Sequence, residues 1–301
     1  ETWCKAGCRP PAAVLAARAD IVAQGKAPEQ VRQIKERLVQ TGNPFGLPPG
    51  ERFQALEGPD LFRARAEVLY YAGCDTAYRQ PRIAQALLKI FQAADADFTL
   101  LPGERSTGKP LLLLGYPAEA RAMAEDLAGQ IRATRCRTLV TGCPSSFDAF
   151  TRDYPAMGLD LGGIEVLHAA QYLDRLLAEG RLAPLLSAAT SATLLDGTYL
   201  GRTHGIFDPP RRVLGKLAGL DLREMTWTRE LAYSAGEPGG VFQLLQPELS
   251  RQVAARVLEE AAKTGAAVLA TTCPATKTAL AEVEQASLEV LDVAEILAQT
   301  L

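Results

Sequence analysis

Two stretches of the chain place a cysteine where a short apolar run stops and a proline opens a helical segment. The first is Thr138-Leu139-Val140-Thr141-Gly142-Cys143-Pro144-Ser145-Ser146, and the second is Val268-Leu269-Ala270-Thr271-Thr272-Cys273-Pro274-Ala275-Thr276. A further cysteine, Cys74, closes the run Glu67-Val68-Leu69-Tyr70-Tyr71-Ala72-Gly73. A thiol at a strand end can serve as a soft metal ligand, as a redox group, or simply as a small buried apolar side chain. Cys136 lies in Arg135-Cys136-Arg137, where flanking cations favour thiolate, and it is expected at the surface. Cys4 and Cys8 complete the set of six, too few and too scattered for a disulfide scaffold. A reducing, cytoplasmic compartment is therefore expected.

Other chemistry is poorly supported. Gly103-Glu104-Arg105-Ser106-Thr107-Gly108-Lys109-Pro110 comes close to a phosphate-binding loop. That loop needs a hydroxyl after the lysine to hold magnesium, and Pro110 supplies neither a hydroxyl nor a backbone N–H. His168 and His204 are the only histidines and fall in different halves, without a spaced carboxylate pair, so zinc catalysis has no footing. Cys4-x3-Cys8 with Pro10 resembles the tail of a ferredoxin run, C-x2-C-x2-C-x3-C-P, but a cubane cluster needs four thiolates and only two are present here.

The formal net charge of −3 carries no electrostatic footprint for nucleic acid. No apolar run approaches the roughly 20 residues of a membrane span, and the opening residues do not read as a secretory leader.

The elements that must position the cysteines alternate in type. Glu67–Cys74, Phe98–Leu101, Thr138–Thr141 and Val166–Leu167 read as strands, separated by helices over Arg82–Ala93, Ala118–Ala133 and Ala169–Leu177. Residues 103–116 read as a loop, with Leu111–Leu114 open to either strand or helix. Ala183–Thr193 reads as a connection, and helices follow near 209–217, 247–264 and 276–281. The pattern repeats about 130 residues downstream. Cys143 returns as Cys273, Ser106-Thr107-Gly108 as Ser234-Ala235-Gly236, and Ile164-Glu165-Val166-Leu167-His168 as Leu288-Glu289-Val290-Leu291-Asp292. Ahead of the repeat, residues 12–23 and 29–39 read as helices, and Gly42–Gly50 as a linker. The expected fold class is α/β, two tandem repeated Rossmann-like parallel α/β domains with a helical N-terminal arm. The divisions are 1–50 for the arm, 51–182 for the first domain and 183–301 for the second.

The repeat resembles the cysteine-rich CCG domain, found twice in one of the subunits of heterodisulfide reductase and in the iron–sulfur subunit of glycolate oxidase. Tyr70-Tyr71-Ala72-Gly73-Cys74, the 103–108 loop, Thr141-Gly142-Cys143-Pro144, Gly205-Ile206-Phe207-Asp208-Pro209-Pro210-Arg211 and Thr272-Cys273-Pro274 carry the likeness. The arm, with Gly42-Asn43-Pro44-Phe45-Gly46, resembles the ferredoxin-like extension that precedes such domains. The family's Cys-Cys-Gly is Ser106-Thr107-Gly108 here and Ser234-Ala235-Gly236 in the second half. Its Cys-Pro-x-Cys ends at Ser146 and Thr276. The resemblance implies vestigial pockets, one at Cys74, Ser106, Thr107, Gly108, Cys143 and Ser146, the other at Ser234, Ala235, Cys273 and Thr276. It implies no cofactor in either domain, with a 4Fe–4S cluster conceivable only at Cys4 and Cys8 with ligands from a partner. A docking role alongside flavoprotein or iron–sulfur subunits follows, with any membrane contact made through those partners.

Overall fold

The computed structural model describes residue 8 and residues 10–57, 61–185, 191–236, 238–283 and 288–301. Val68–Tyr71 (β1) is buried at every position, and its side chains are apolar or aromatic throughout. That suits a strand covered on both faces rather than one. It pairs in parallel with Phe98–Leu100 (β2) and Thr138–Thr141 (β3), and β3 pairs with Glu165–His168 (β4), giving the order β2-β1-β3-β4. Ser191–Leu194 (β5), Asp221–Leu222 (β6), Val268–Thr271 (β7) and Glu289–Asp292 (β8) form a separate sheet of order β6-β5-β7-β8. One parallel design is built twice in tandem.

The arm contributes helices α1 (Pro10–Ala23) and α2 (Glu29–Thr41). The first half adds α3 (Cys74–Tyr78), α4 (Pro81–Ala93), α5 (Lys109–Leu114), α6 (Pro117–Thr134), α7 (Pro144–Asp148), α8 (Tyr154–Ala156) and α9 (Ala169–Ala178). The second half adds α10 (Asp208–Gly215), α11 (Val241–Leu245), α12 (Pro247–Ala262), α13 (Pro274–Ala281) and α14 (Val293–Ala298). Proline opens α4, α6, α7, α12 and α13, at a position where the missing N–H would have had no partner anyway. No helix among the described residues is long and apolar enough to cross a membrane.

Strand alternation sends Val68 and Tyr70 to one face of the first sheet and Leu69 and Tyr71 to the other. The second face packs on α6 through Leu127 and Ile131. The first face is covered by Leu87, Leu88 and Phe91 of α4, and this cluster runs on into Val213, Leu214, Ile296 and Leu297 of the second half. α4 lies against α14 and α9 against α10, so the halves share one apolar core along this side.

Three expectations change. Residues 109–114 are helical, because Leu111 and Leu114 turn toward Ile34 and Leu38 of α2. Ser191–Leu194 is a central strand rather than part of a connection, paired with β6 on one side and β7 on the other and buried at every position. Gly42–Gly50 is no loose linker. Asn43 is fully buried, and its side chain accepts from the Phe45 and Leu47 N–H groups and donates to the Leu47 carbonyl, knotting the segment into a compact turn.

Candidate functional site between the two halves

In an open parallel sheet, ligands lie outside the carboxyl ends of the strands, at the point where strand order reverses. That point falls between β1 and β3 in one half and between β5 and β7 in the other. Here the two points face one another. Cys74 and Cys143 from the first half, with Gly197 and Cys273 from the second, line a single cavity of about 40 Å³, room for two or three waters. Ser106, Thr107 and Ser146 also line it. Of the residues expected in the second pocket, only Cys273 joins this wall, and Gly108 of the first does not. Ser234, Ala235 and Thr276 are not part of its wall.

The repeat extends to single bonds. Ser106 Oγ accepts from Gly108 N at 3.4 Å, and Ser234 Oγ accepts from Gly236 N at 3.3 Å. Gly108 and Gly236 share a left-handed backbone, with φ of 84° and 80°. After the last strands, His168 caps α9 by accepting from Ala170 N, and Asp292 caps α14 by accepting from Ala294 N. Burial pulls the His168 pKa down to about 4 and pushes that of Asp292 up to about 7.

Cys74 has surroundings that the sequence did not disclose. Buried Arg52 donates to Glu104 from Nε at 3.1 Å and Nη2 at 2.8 Å, while its Nη1 and Nη2 stand 3.8 and 3.6 Å from Cys74 Sγ. Glu104 also accepts from Ala72 N and Gly73 N, each at 2.9 Å, which fastens the turn that presents Cys74. Burial pushes the Cys74 thiol up and Arg52 pulls against it. Arg52 lies in a short irregular segment with no periodicity, so nothing in the sequence pointed to it. The arm is bolted to the same place, since Ser106 N donates to Gly42 O at 2.7 Å and Pro44 lines the cavity.

Cys143 is buried, and burial raises its thiol to about 11 against a hydrogen bond from Ser146. Cys273 caps α13, accepting from Thr276 N at 3.5 Å. Thr276 Oγ1 is buried and has no hydrogen-bond partner among the described residues. Lys109, the lysine of the phosphate-loop look-alike, is buried between Asp148 and Asp153 rather than facing the cavity. Asp148 also receives His204 Nε2 at 2.9 Å from the second half. Burial would raise the Asp148 pKa, but His204 and Lys109 outweigh it and hold the carboxyl below its ordinary range.

Cys136 corrects the sequence reading. It is buried in the core beside α6, and burial raises its thiol, while Arg137 on its flank points outward. Cys8 is exposed, and Cys4 lies outside the described residues.

The sequence pattern of the CCG cysteine-rich domain matches residues 68–146 and 192–281, each covering the strands and turns that build one side of the cavity. The chain belongs to the CCG domain family. Over its full length it is 29% identical to one of the subunits of the dihydromethanophenazine:CoB–CoM heterodisulfide reductase of Methanosarcina acetivorans, covering 75% of that protein. It is 27% identical, over 93% of its length, to the probable iron-sulfur-binding oxidoreductase FadF of Bacillus subtilis, of which it covers 42%. A probable membrane-anchored ferredoxin of Chromohalobacter salexigens is 32% identical over 72% of the chain, which spans 33% of it. The chain thus spans three quarters of the reductase polypeptide and less than half of the other two.

The residues of this CCG pair do not fit an iron–sulfur cluster, which is held by several thiolates. The hydroxyls of Ser106 and Ser234 are turned into their own backbone turns, and Ser146 is bonded to Cys143. Among the described residues, no three His, Cys, Asp or Glu side chains come close enough to share a metal ion.

Proposed function

We propose that this chain is a cofactor-poor, structural or docking subunit of a multi-subunit iron–sulfur oxidoreductase of the heterodisulfide reductase type. The reading is carried by Ser106, Thr107 and Ser146, and Ser234, Ala235 and Thr276, standing where the resemblance implies cysteines, on a scaffold whose strand order, Ser–Gly turns and strand-end caps recur in both halves. Serine, threonine and alanine remove the soft ligand that such clusters require. The partners would be flavoprotein or iron–sulfur subunits in the cytoplasm, any membrane contact being made through them. Helix α1 supports a docking role, because none of its residues is buried although it carries Val14 and Ile21, 48% and 44% exposed.

A second reading is favoured by the exposed Cys8, two residues ahead of α1. With Cys4 and ligands from a partner it would complete a 4Fe–4S cluster, giving the chain a role in electron transfer. A third, favoured by the cavity itself, is a pseudo-enzyme that takes a small molecule there. Iron analysis and visible absorption of the purified chain separate the first two. Iron-free protein is the expected result. Stoichiometric iron that persists in a Cys4→Ser/Cys8→Ser variant would overturn the reading of the CCG sites, and iron lost in that variant would select the electron-transfer role.

A further inference from the structure

Two short π-helical turns meet the same buried lysine from opposite halves. Ala149–Asp153 runs on from α7, and Lys109 Nζ donates to its Asp153 at 2.7 Å. Thr198–Thr203 belongs to the second half, and Lys109 Nζ stands 5.1 Å from the centre of its Tyr199 ring. Such turns are rare and gather at functional sites. The second one is the body of a strap, residues 197–205, that closes one side of the cavity, with Gly197, Thr198 and Tyr199 in the wall. The strap is bonded within itself. Gly201 N donates to Gly197 O at 2.9 Å, His204 N to Tyr199 O at 3.2 Å, and Arg202 Nη2 to Thr198 Oγ1 at 2.9 Å, so the segment moves as one body.

Glycine stands at both ends of the strap. Gly205 needs to be glycine for its φ of +69°. Gly197 does not: its φ is −71°, and a Cβ there would meet nothing nearer than Thr272 Oγ1 at 3.9 Å. What glycine adds at 197 is freedom for the backbone to turn, the property of a hinge. At the far end, His204 Nε2 bonds Asp148 Oδ1 at 2.9 Å, and the His204 ring meets Phe147 edge-on with centroids 4.8 Å apart. We propose that residues 197–205 are a hinged lid on the thiol cavity, latched to the first half by the His204–Asp148 bond. Leu200 on the same turn is buried, so lifting exposes apolar surface and the shut form is the resting one. Shut, the chamber has room for two or three waters. Lifted, it opens Cys143 and Cys273 to larger molecules.

This inference rests on the reading that the cavity holds no cluster, since a thiol bound to iron is not free to be alkylated. The test therefore begins with iron analysis of the reduced, full-length chain. The protein is then treated at fixed pH with N-ethylmaleimide, a probe too large for the shut chamber, and the labelling rate of each cysteine is read by peptide mass spectrometry. Cys136, buried in the core beside α6, reports any general loosening of the fold. His204→Ala should speed labelling of Cys143 and Cys273 about tenfold, the factor that losing one hydrogen bond to a charged group supplies, and leave Cys136 unchanged. Gly197→Ala should act in the opposite direction and slow both thiols about two- to fivefold. Alanine fits the backbone and the space at 197, so this variant decides the matter even where His204→Ala fails to fold. Iron-free protein in which either folded variant labels like the unaltered chain, or in which Cys136 keeps pace with the other two, overturns the lid and leaves the cofactor-poor reading standing. Iron held in the cavity overturns that reading, and the lid with it, because the chamber would then be filled.

Discussion

Asp292 and His168 occupy the same place in the two halves and pull stability in opposite directions with pH. Asp292 is buried and accepts from Ala294 N at 2.9 Å; its own N–H donates to Glu295, which Lys277 neutralises, so the Asp292 carboxyl has no cation to itself. Its pKa is pushed from 3.8 to about 7, chiefly by burial, so the native state holds a proton that the unfolded chain has released. The resulting stabilisation is complete below about pH 3.8 and is lost as pH rises through about 7. At about 1.4 kcal/mol per unit, the change between pH 5 and pH 8 is about 2.5 kcal/mol. His168 is the reverse case. Its pKa falls from 6.5 to about 4 because the buried ring resists charge, and its contribution is present above pH 6.5 and lost toward pH 4. Over the same interval it removes about 2 kcal/mol on acidification, so the two nearly cancel in the unaltered chain.

Asp292→Asn exposes the imbalance, since asparagine keeps the cap and cannot ionise. Urea unfolding at pH 5, 6, 7 and 8 is the assay, with stability taken from the midpoint and slope. The variant should be more stable relative to the unaltered chain at pH 8 than at pH 5, by about 2.5 kcal/mol. Parallel curves for the two proteins across this range would refute the claim that native Asp292 is protonated below neutrality.

Two further outcomes are expected. Glu104→Gln leaves the Arg52 guanidinium buried without its counter-charge and weakens the turn that holds Cys74, as Arg52 and Glu104 side chains are only 3% and 0% exposed. It should cost about 3–5 kcal/mol in urea unfolding. Leu297→Ala opens a void in the core shared by the halves, where Leu297 is fully buried. It should cost about 2–5 kcal/mol, and both halves should still unfold in one transition because the core spans them.

Much of the scaffold was legible because it is written in local patterns. Apolar runs ending at Cys74, Cys143 and Cys273, prolines opening the helices behind them, and a repeat of about 130 residues together specify a parallel α/β unit used twice. That Ser106, Thr107, Ser146, Ser234, Ala235 and Thr276 stand where the resemblance implies cysteines was likewise legible before the fold was known. Where local pattern was ambiguous, packing decided. The segment at 109–114 became a helix because α2 offered Leu38 and Ile34 to cover it. Ser191–Leu194 became a strand because β7 lay ready to pair with it. Cys136 went inside although arginines flank it, since alternating side chains near a strand need not share an environment.

The site itself belongs to tertiary structure. Cys74 and Cys273 are far apart along the chain and come to line one cavity only because α4 and α9 dock on α14 and α10, turning the ends of both sheets toward it. Arg52, Glu104 and the Asp148–His204 bond join segments that no periodicity links. Hydrogen bonds and ion pairs between distant residues leave no local signature, because their partners are chosen by the packing of the apolar faces and not by neighbours in sequence. Residue type and spacing therefore determined which side chains stand at the strand ends, and the docking of the two halves decided that Cys74, Cys143 and Cys273 line one cavity.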